Sequence, residues 1–276
     1  MRLLIRHATR YRYDPDALRL TCSLRLWPGD APGLRVREWA VTANDEPVAP
    51  GRDRRALWTA HPVPEMVTFV AQGIVETRDV AGITPLRPRD PHPLIYLKES
   101  PLTGGNAAIS ALADDAEGGT LLDRLHALNA LIYARIAYRA GVTNATTSAA
   151  DALAQGAGVC QDHAHLFIAA ARSMGTSARY VAGYLLAGED GSELHETHAW
   201  AEAFVQELGW VGFDASNGVC PNEHYVPLTI GLDAYDAAPI RGHVAGGRNI
   251  GVDADVRITP SLGSEGEQQQ QEQQQQ

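Results

Sequence analysis

The residues best equipped for covalent chemistry lie in one stretch, "QGAGVCQDHAHLFIAAARSMG", residues 155–175. A loop punctuated by Gly156 and Gly158 runs into Cys160, and an amphipathic segment begins at that same cysteine. Ala164, Phe167, Ile168, Ala171 and Met174 mark one helical face, and Gly175 is the stop. A thiol in the first turn of a helix sits beside unpaired backbone N–H groups and the positive end of the dipole. Both favour thiolate over thiol. The same N–H groups, that of Cys160 included, can hold the oxyanion formed when sulfur attacks a carbonyl.

A thiolate nucleophile needs an imidazole, and the imidazole needs a group to orient it. In "ETHAWAEAF", His198, Trp200, Glu202 and Phe204 share a parity, so His198 and Trp200 project from one face of a strand. In "LGWVGFDASNG", Asp214 ends the next strand, where a carboxylate is partly buried yet able to reach a histidine. Hairpin pairing centred on Leu208 puts position 202 opposite 214, leaving the acid about four residues from the histidine unless a bulge shifts the register. Tyr138, upstream of the cysteine, is a candidate second oxyanion donor, and Trp200 a candidate substrate contact. Two other readings of Cys160 are a passive thiol and a metal ligand. The neighbouring His163, His165, His195 and His198 invite the metal reading. However, His163 and His165 diverge by about 200° on a helix, and His195 and His198 have opposite strand parity, so no metal is assigned. Asp162, in the first helical turn, complements the dipole. Cys22 reads as a core-facing strand residue and Cys220 as a passive thiol.

The elements that must carry these residues fall into two modules. In "LRLTCSLRLW", Leu18, Leu20, Cys22, Leu24 and Leu26 alternate with polar positions, a half-buried strand. With "LRVREWAVTA", "ALWTAHPV" and "MVTFVAQGIVETRDV", it makes residues 1–95 an all-β, sandwich-like domain. Residues 96–118, rich in glycine and acid, read as a linker. Residues 119–258 read as an α+β core with a C-terminal extension. It begins with a helix that Thr120 or a neighbour caps, then a short one with Ser148 as N-cap, Asp151 in its first turn and Gly156 past its end. After the Cys160 helix come the strands "SARYVAGYLLA", "THAWAEAFVQ" and "GWVGFDAS", and an irregular piece leads to a last strand, "NIGVDADVRI". Residues 259–276, ending "EGEQQQQEQQQQ", read as a disordered Gln-rich tail.

Three blocks, "GAGVCQDHAHLFIAAARSMGTSARYVAGYL", "THAWAEAFV" and "GWVGFDASNG", resemble the signature blocks of the transglutaminase-like superfamily, in matching chain order. The resemblance implies a papain-like thiol fold, with Cys160 as nucleophile, His198 as general base and acid, and Asp214 as orienter of the imidazole. The opening "RYRYDPDALRLTCSLRLWP" is similar to the β domain that precedes this core in bacterial members. Gln161 stands where animal transglutaminases carry Trp, and no acidic calcium loop of their kind is evident, so calcium activation does not carry over.

The bulk numbers bound the partners. A net charge of −10 over 276 residues argues against nucleic acid and anionic membranes. Apolar runs fall short of the roughly 18 residues of a membrane span, and no secretory signal is visible. Three cysteines at wide spacing form no disulfide framework, which points to a reducing cytoplasm. The expected partner is a peptide or protein substrate, and the chemistry calls for no cofactor. A Cys–His–Asp site opens an amide through a thioester. Water as acceptor makes a cysteine peptidase or amidase, the favoured outcome, because a calcium-free cytoplasmic cross-linker would threaten its own cell. An amine as acceptor makes a protein-glutamine transglutaminase. A non-catalytic polypeptide-binding module and a metal-dependent hydrolase are the readings from other classes.

Overall fold

The computed structural model describes residues 1–51, 53–186 and 197–261. His195, the "GEDGSE" turn and the tail from Leu262 onward lie outside the described residues. The chain divides into two compact units. One is built from Met1–Arg78 and the residues that follow Pro239, the other from Asp79–Tyr184 and His198–Pro239.

The first unit opens with β1 (Arg2–Tyr13), which turns Leu3, Ile5 and His7 inward. β2 (Arg19–Leu24) buries Leu20, Cys22 and Leu24, as period-2 patterning requires. Leu18 shares their parity but is 62 % exposed, because the strand begins only at Arg19. β3 (Leu34–Ala43), β4 (Glu46–Pro47), β5 (Ala56–Ala60) and β6 (Met66–Thr77) follow. β1 pairs with β6, β6 with β3 and β3 with β4, while β2 pairs with β5. Trp58 of β5 packs edge-on against Phe69 of β6, ring centres 5.3 Å apart, so the two sheets face each other.

The second unit begins with β7 (Ile83–Thr84), a 3-10 turn at Pro93–Leu97 and α1 (Ala107–Asp114). α1 stands where a linker was expected. Its Asn106 cap accepts from Ile109 N–H at 2.9 Å, and Ile109 and Leu112 are fully buried. Then come α2 (Leu121–Arg135), β8 (Ala137–Tyr138), α3 (Ala149–Gln155), β9 (Ala157–Gly158) and α4 (Cys160–Ser173). Thr120 and Ser148 close capping boxes with Asp123 and Asp151, and Gly156 ends α3 at φ 66°. The remaining elements are β10 (Ala178–Leu185), β11 (His198–Val205), β12 (Gly209–Phe213), β13 (Tyr225–Gly231) and a single helical turn, α5 (Ala234–Ala237).

The sheet of this unit runs in the order β13-β10-β11-β12-β7, and α4 packs on it. Alanines meet there: Ala164, Ala169, Ala170 and Ala171 on the helix, Ala199, Ala201 and Ala203 on β11, all in one buried cluster. Small side chains on both surfaces let the helix approach the strand closely. Phe167 and Ile168 fill the space beside them, each burial contributing about 1.5–3 kcal/mol. Buried Arg172 pins the far end of α4, donating to the carbonyls of Tyr96, Ala178 and Leu232 and to Thr103 Oγ1 at 2.6–3.0 Å.

The chain then returns to the first unit. β14 (Ile240–Ala245) pairs with β2 and β15 (Asn249–Pro260) pairs with β1, both antiparallel. The expected C-terminal extension of the core is therefore part of the β sandwich. Where residues 1–95 were expected as the β domain and 119–258 as the core, the β unit is discontinuous, and core sequence from Asp79–Tyr184 and His198–Pro239 lies between its first and last strands.

Candidate active site

Cys160, His198 and Asp214 all belong to the second unit. Cys160 is the first residue of α4, half-buried and free. Val159 precedes it with no side chain able to cap the helix, so Asp162 reaches back and accepts from Val159 N–H at 2.8 Å. The Thr143 hydroxyl donates to the same Asp162 oxygen at 2.7 Å. Gly158 is required here, since a Cβ at this position would stand 2.6 Å from the Asp162 side chain. The N–H groups of Cys160 and Gln161 lie in the first turn, where no intrahelical acceptor exists.

His198 opens β11, and its Nε2 donates to Asp214 Oδ2 at 2.7 Å. The hairpin register differs from the expected one: Glu202 pairs with Gly212, not with 214. The three-residue loop turns at Glu207 rather than Leu208, and Gly209 absorbs the turn at φ 94°. The ladder ends at Ala201–Phe213, so Asp214 lies two residues nearer to His198 than a Leu208-centred hairpin would leave it. Asp214 also leaves the ladder, bridging to Val219 instead.

The carboxylate of Asp214 is 1 % exposed at its side chain and fully engaged. Oδ1 accepts from Ser216 N–H at 3.0 Å and Ser216 Oγ at 2.7 Å. Oδ2 accepts from His198, from Asn217 Nδ2 at 2.7 Å and from the Tyr225 hydroxyl at 2.8 Å. Burial pushes this carboxyl up, but the His198 contact and the Ser216 and Asn217 donors outweigh it and hold the pKa at about 2. Burial likewise pulls the His198 ring down. Hydrogen bonds to Asp214 and to Cys160, with their charges, reverse the sign and raise it from 6.5 to about 9. With Nε2 committed to Asp214, Nδ1 is the ring nitrogen left for the sulfur of Cys160. The arrangement sets an imidazole ring between a buried carboxylate and a sulfur at a helix mouth.

Trp200, a candidate substrate contact that could equally be core or cleft wall, is 2 % exposed. Its ring stacks beside His198, centres 6.4 Å apart, and meets Tyr225 edge-on at 5.4 Å. Tyr138 is exposed; it pairs with Gly158 through β8 and β9, and its ring stacks on His163 at 6.1 Å. The nitrogens of His163 lie 2.8 and 3.1 Å from the carbonyls of Val159 and Ile136. His165 accepts from Ala234 N–H through Nε2 at 3.0 Å. Neither turns toward a shared metal position, and among the described residues no group of three or more His, Cys, Asp or Glu side chains converges. Ser216, Asn217 and Tyr225 were not anticipated as site residues. "DASNG" carries the signal of an Asx turn, which could have found the first two. Tyr225 opens a strand interrupted by Pro227 that reads as irregular.

A papain-like thiol fold with this constellation defines a class, and the comparisons give it a family. Residues 110–215 match the core of the transglutaminase-like superfamily, and residues 3–76 match the bacterial transglutaminase-like N-terminal region. The chain belongs to the transglutaminase-like superfamily. An uncharacterized Mycobacterium leprae protein, ML0607, is 39 % identical over 129 residues, 45 % of this chain and 46 % of that protein. Rv2569c of Mycobacterium tuberculosis, also uncharacterized, is 35 % identical over 153 residues, 52 % of this chain and 49 % of that one. The chain thus matches about half the length of these relatives. A Cytophaga hutchinsonii structure, provisionally described as a cysteine protease, shares the fold at a TM-score of 0.70 and 19 % identity, over 96 % of this chain and 93 % of that one.

Proposed function

We propose that the chain is a thiol-dependent acyl-transfer enzyme acting on amide bonds of a peptide or protein, and that water is its usual acceptor. The single observation that carries this reading is His198 held at 2.7 Å by the buried Asp214, with Cys160 at the mouth of α4 among the groups that raise its ring. Cys160 is the nucleophile, His198 the acid and base, and Asp214 the orienter. The sulfur adds to the amide carbon, and the oxyanion is received by the N–H of Cys160 and the Tyr138 hydroxyl. Collapse breaks the C–N bond, with the Nδ1 proton of His198 passing to the leaving amine. Water then gives a proton to Nδ1 and adds to the thioester, and the acid leaves as sulfur regains its charge. The name carried by the Cytophaga hutchinsonii neighbour agrees with this reading. Three free cysteines at wide spacing support a reducing, cytoplasmic setting.

The test combines labelling with product analysis. Iodoacetamide near neutral pH is expected to alkylate Cys160 faster than Cys22, whose thiol burial pushes up to about 11, and faster than Cys220, also pushed up by burial. Cys160→Ala is expected to abolish turnover of a peptide library followed by mass spectrometry. Equal labelling of the three thiols would remove the basis for an activated nucleophile. Amine adducts that dominate over acids when an amine is added would make the enzyme a transferase. Binding that survives Cys160→Ala, with no turnover in wild type, would make it a polypeptide-binding module.

A further inference from the structure

Tyr225 opens β13, on the opposite side of β10 from β11, and is buried. Its hydroxyl donates to Asp214 Oδ2, the oxygen already taken by His198 Nε2 and Asn217 Nδ2. Its ring meets His198 at 5.9 Å and an interplanar angle of 61°. Three donors share an oxygen with two lone pairs, so each weakens the hold of the others. Burial, and then the neighbouring Asp214 charge, push the phenol up, which keeps the hydroxyl a donor rather than a phenolate.

We propose that Tyr225 is a positioning residue that sets how firmly Asp214 grips the His198 ring, its hydroxyl competing for Oδ2 and its ring fixing the imidazole plane. The proposal rests on the reading of His198 as the acid and base of the reaction. The groups that face His198 are Cys160 from α4, Asp214 from the loop after β12, Tyr225 from β13 and Trp200 on its own strand. Of these, Tyr225 alone adjusts the carboxylate without touching the sulfur chemistry.

The experiment is an NMR titration of the His198 ring in the full chain, wild type against Tyr225→Phe, which keeps the ring and deletes the donor. With one competitor gone, the imidazolium is expected to titrate higher than in wild type by about 0.5 pH unit. The alkaline limb of kcat is expected to move the same way, with KM unchanged. A side chain that merely filled space would leave the midpoint where it was, and one whose loss let Asp214 swing away would lower it; either result overturns the proposal. Should Tyr225→Phe fail to fold, 3-fluorotyrosine at the same position supplies a stronger donor of nearly equal size. It is expected to lower the midpoint, and no downward movement would overturn the proposal. The titration needs no turnover, so an inactive wild type would count against the proposed function while Tyr225 is still judged.

Discussion

His198 and Asp214 make one interaction with two pH consequences. The folded His198 ring titrates at about 9 against 6.5 when unperturbed, so its contribution is complete below pH 6.5 and is lost as pH rises through 9. The folded Asp214 carboxyl titrates at about 2 against 3.8, so its contribution is complete above 3.8 and is lost as pH falls through 2. The contact between the two residues is common to both shifts and is counted once, on the order of 2 kcal/mol, with Cys160 adding to the first shift and Ser216 and Asn217 to the second. Urea midpoints are therefore expected to fall by a corresponding amount between pH 6 and 9.5. In Asp214→Asn most of that fall should disappear; a slope as steep as wild type would place the proton uptake elsewhere. These residue identities were readable because reactive side chains stand at element ends. Cys160 follows a glycine loop, His198 heads an alternating strand and Asp214 closes an aromatic-rich one. Tyr225 was not readable, because its role depends on a β13 neighbour 11 residues along the chain from Asp214 and on no local pattern.

Helix α4 positions the sulfur through its own first turn, and that turn depends on Asp162 in place of a capping residue. Asp162→Ala removes the acceptor of Val159 N–H and of Thr143 Oγ1. The expected cost is about 1–2 kcal/mol, read as a lower melting temperature, together with slower alkylation of Cys160. Unchanged labelling would detach the helix cap from the reactivity of the thiol. Most elements of the core were legible: α2, α3 and α4 from caps and periodicity, β10 to β12 as apolar and aromatic runs between short polar turns. α1 is hidden in the sequence because its eight residues lie between glycine pairs and an acidic cluster that together signal a linker. The hairpin register differs from the expected one by two positions because Gly209, at φ 94°, closes the loop one residue earlier, about Glu207 rather than Leu208. That small difference is what brings acid and imidazole together.

At the scale of the molecule, the sequence shows a strand at "NIGVDADVRI" but not which strand receives it. β15 joins β1 with Leu3 opposite Pro260, a pairing no local signal encodes. The β unit therefore depends on its last strands. A chain ending at Pro239 is expected to keep the helical far-ultraviolet signature and the fast-reacting thiol of the core. It should lose the cooperative melting of the β sandwich, whose β1 and β2 would each have an unpaired edge. A truncated chain that melts as two intact units would show that β14 and β15 are dispensable.

The return of β14 and β15 also sets an order of events during synthesis. By Pro239 Cys160, His198 and Asp214 have all been made, while β1, translated before them, has yet to meet its partner at β15. As chains emerge from the ribosome N-terminus first, the thiol site can assemble while the sandwich stays open. Exposed β1 and β2 edges on nascent chains are then the point at which a translation pause invites mispairing between neighbours on one polysome.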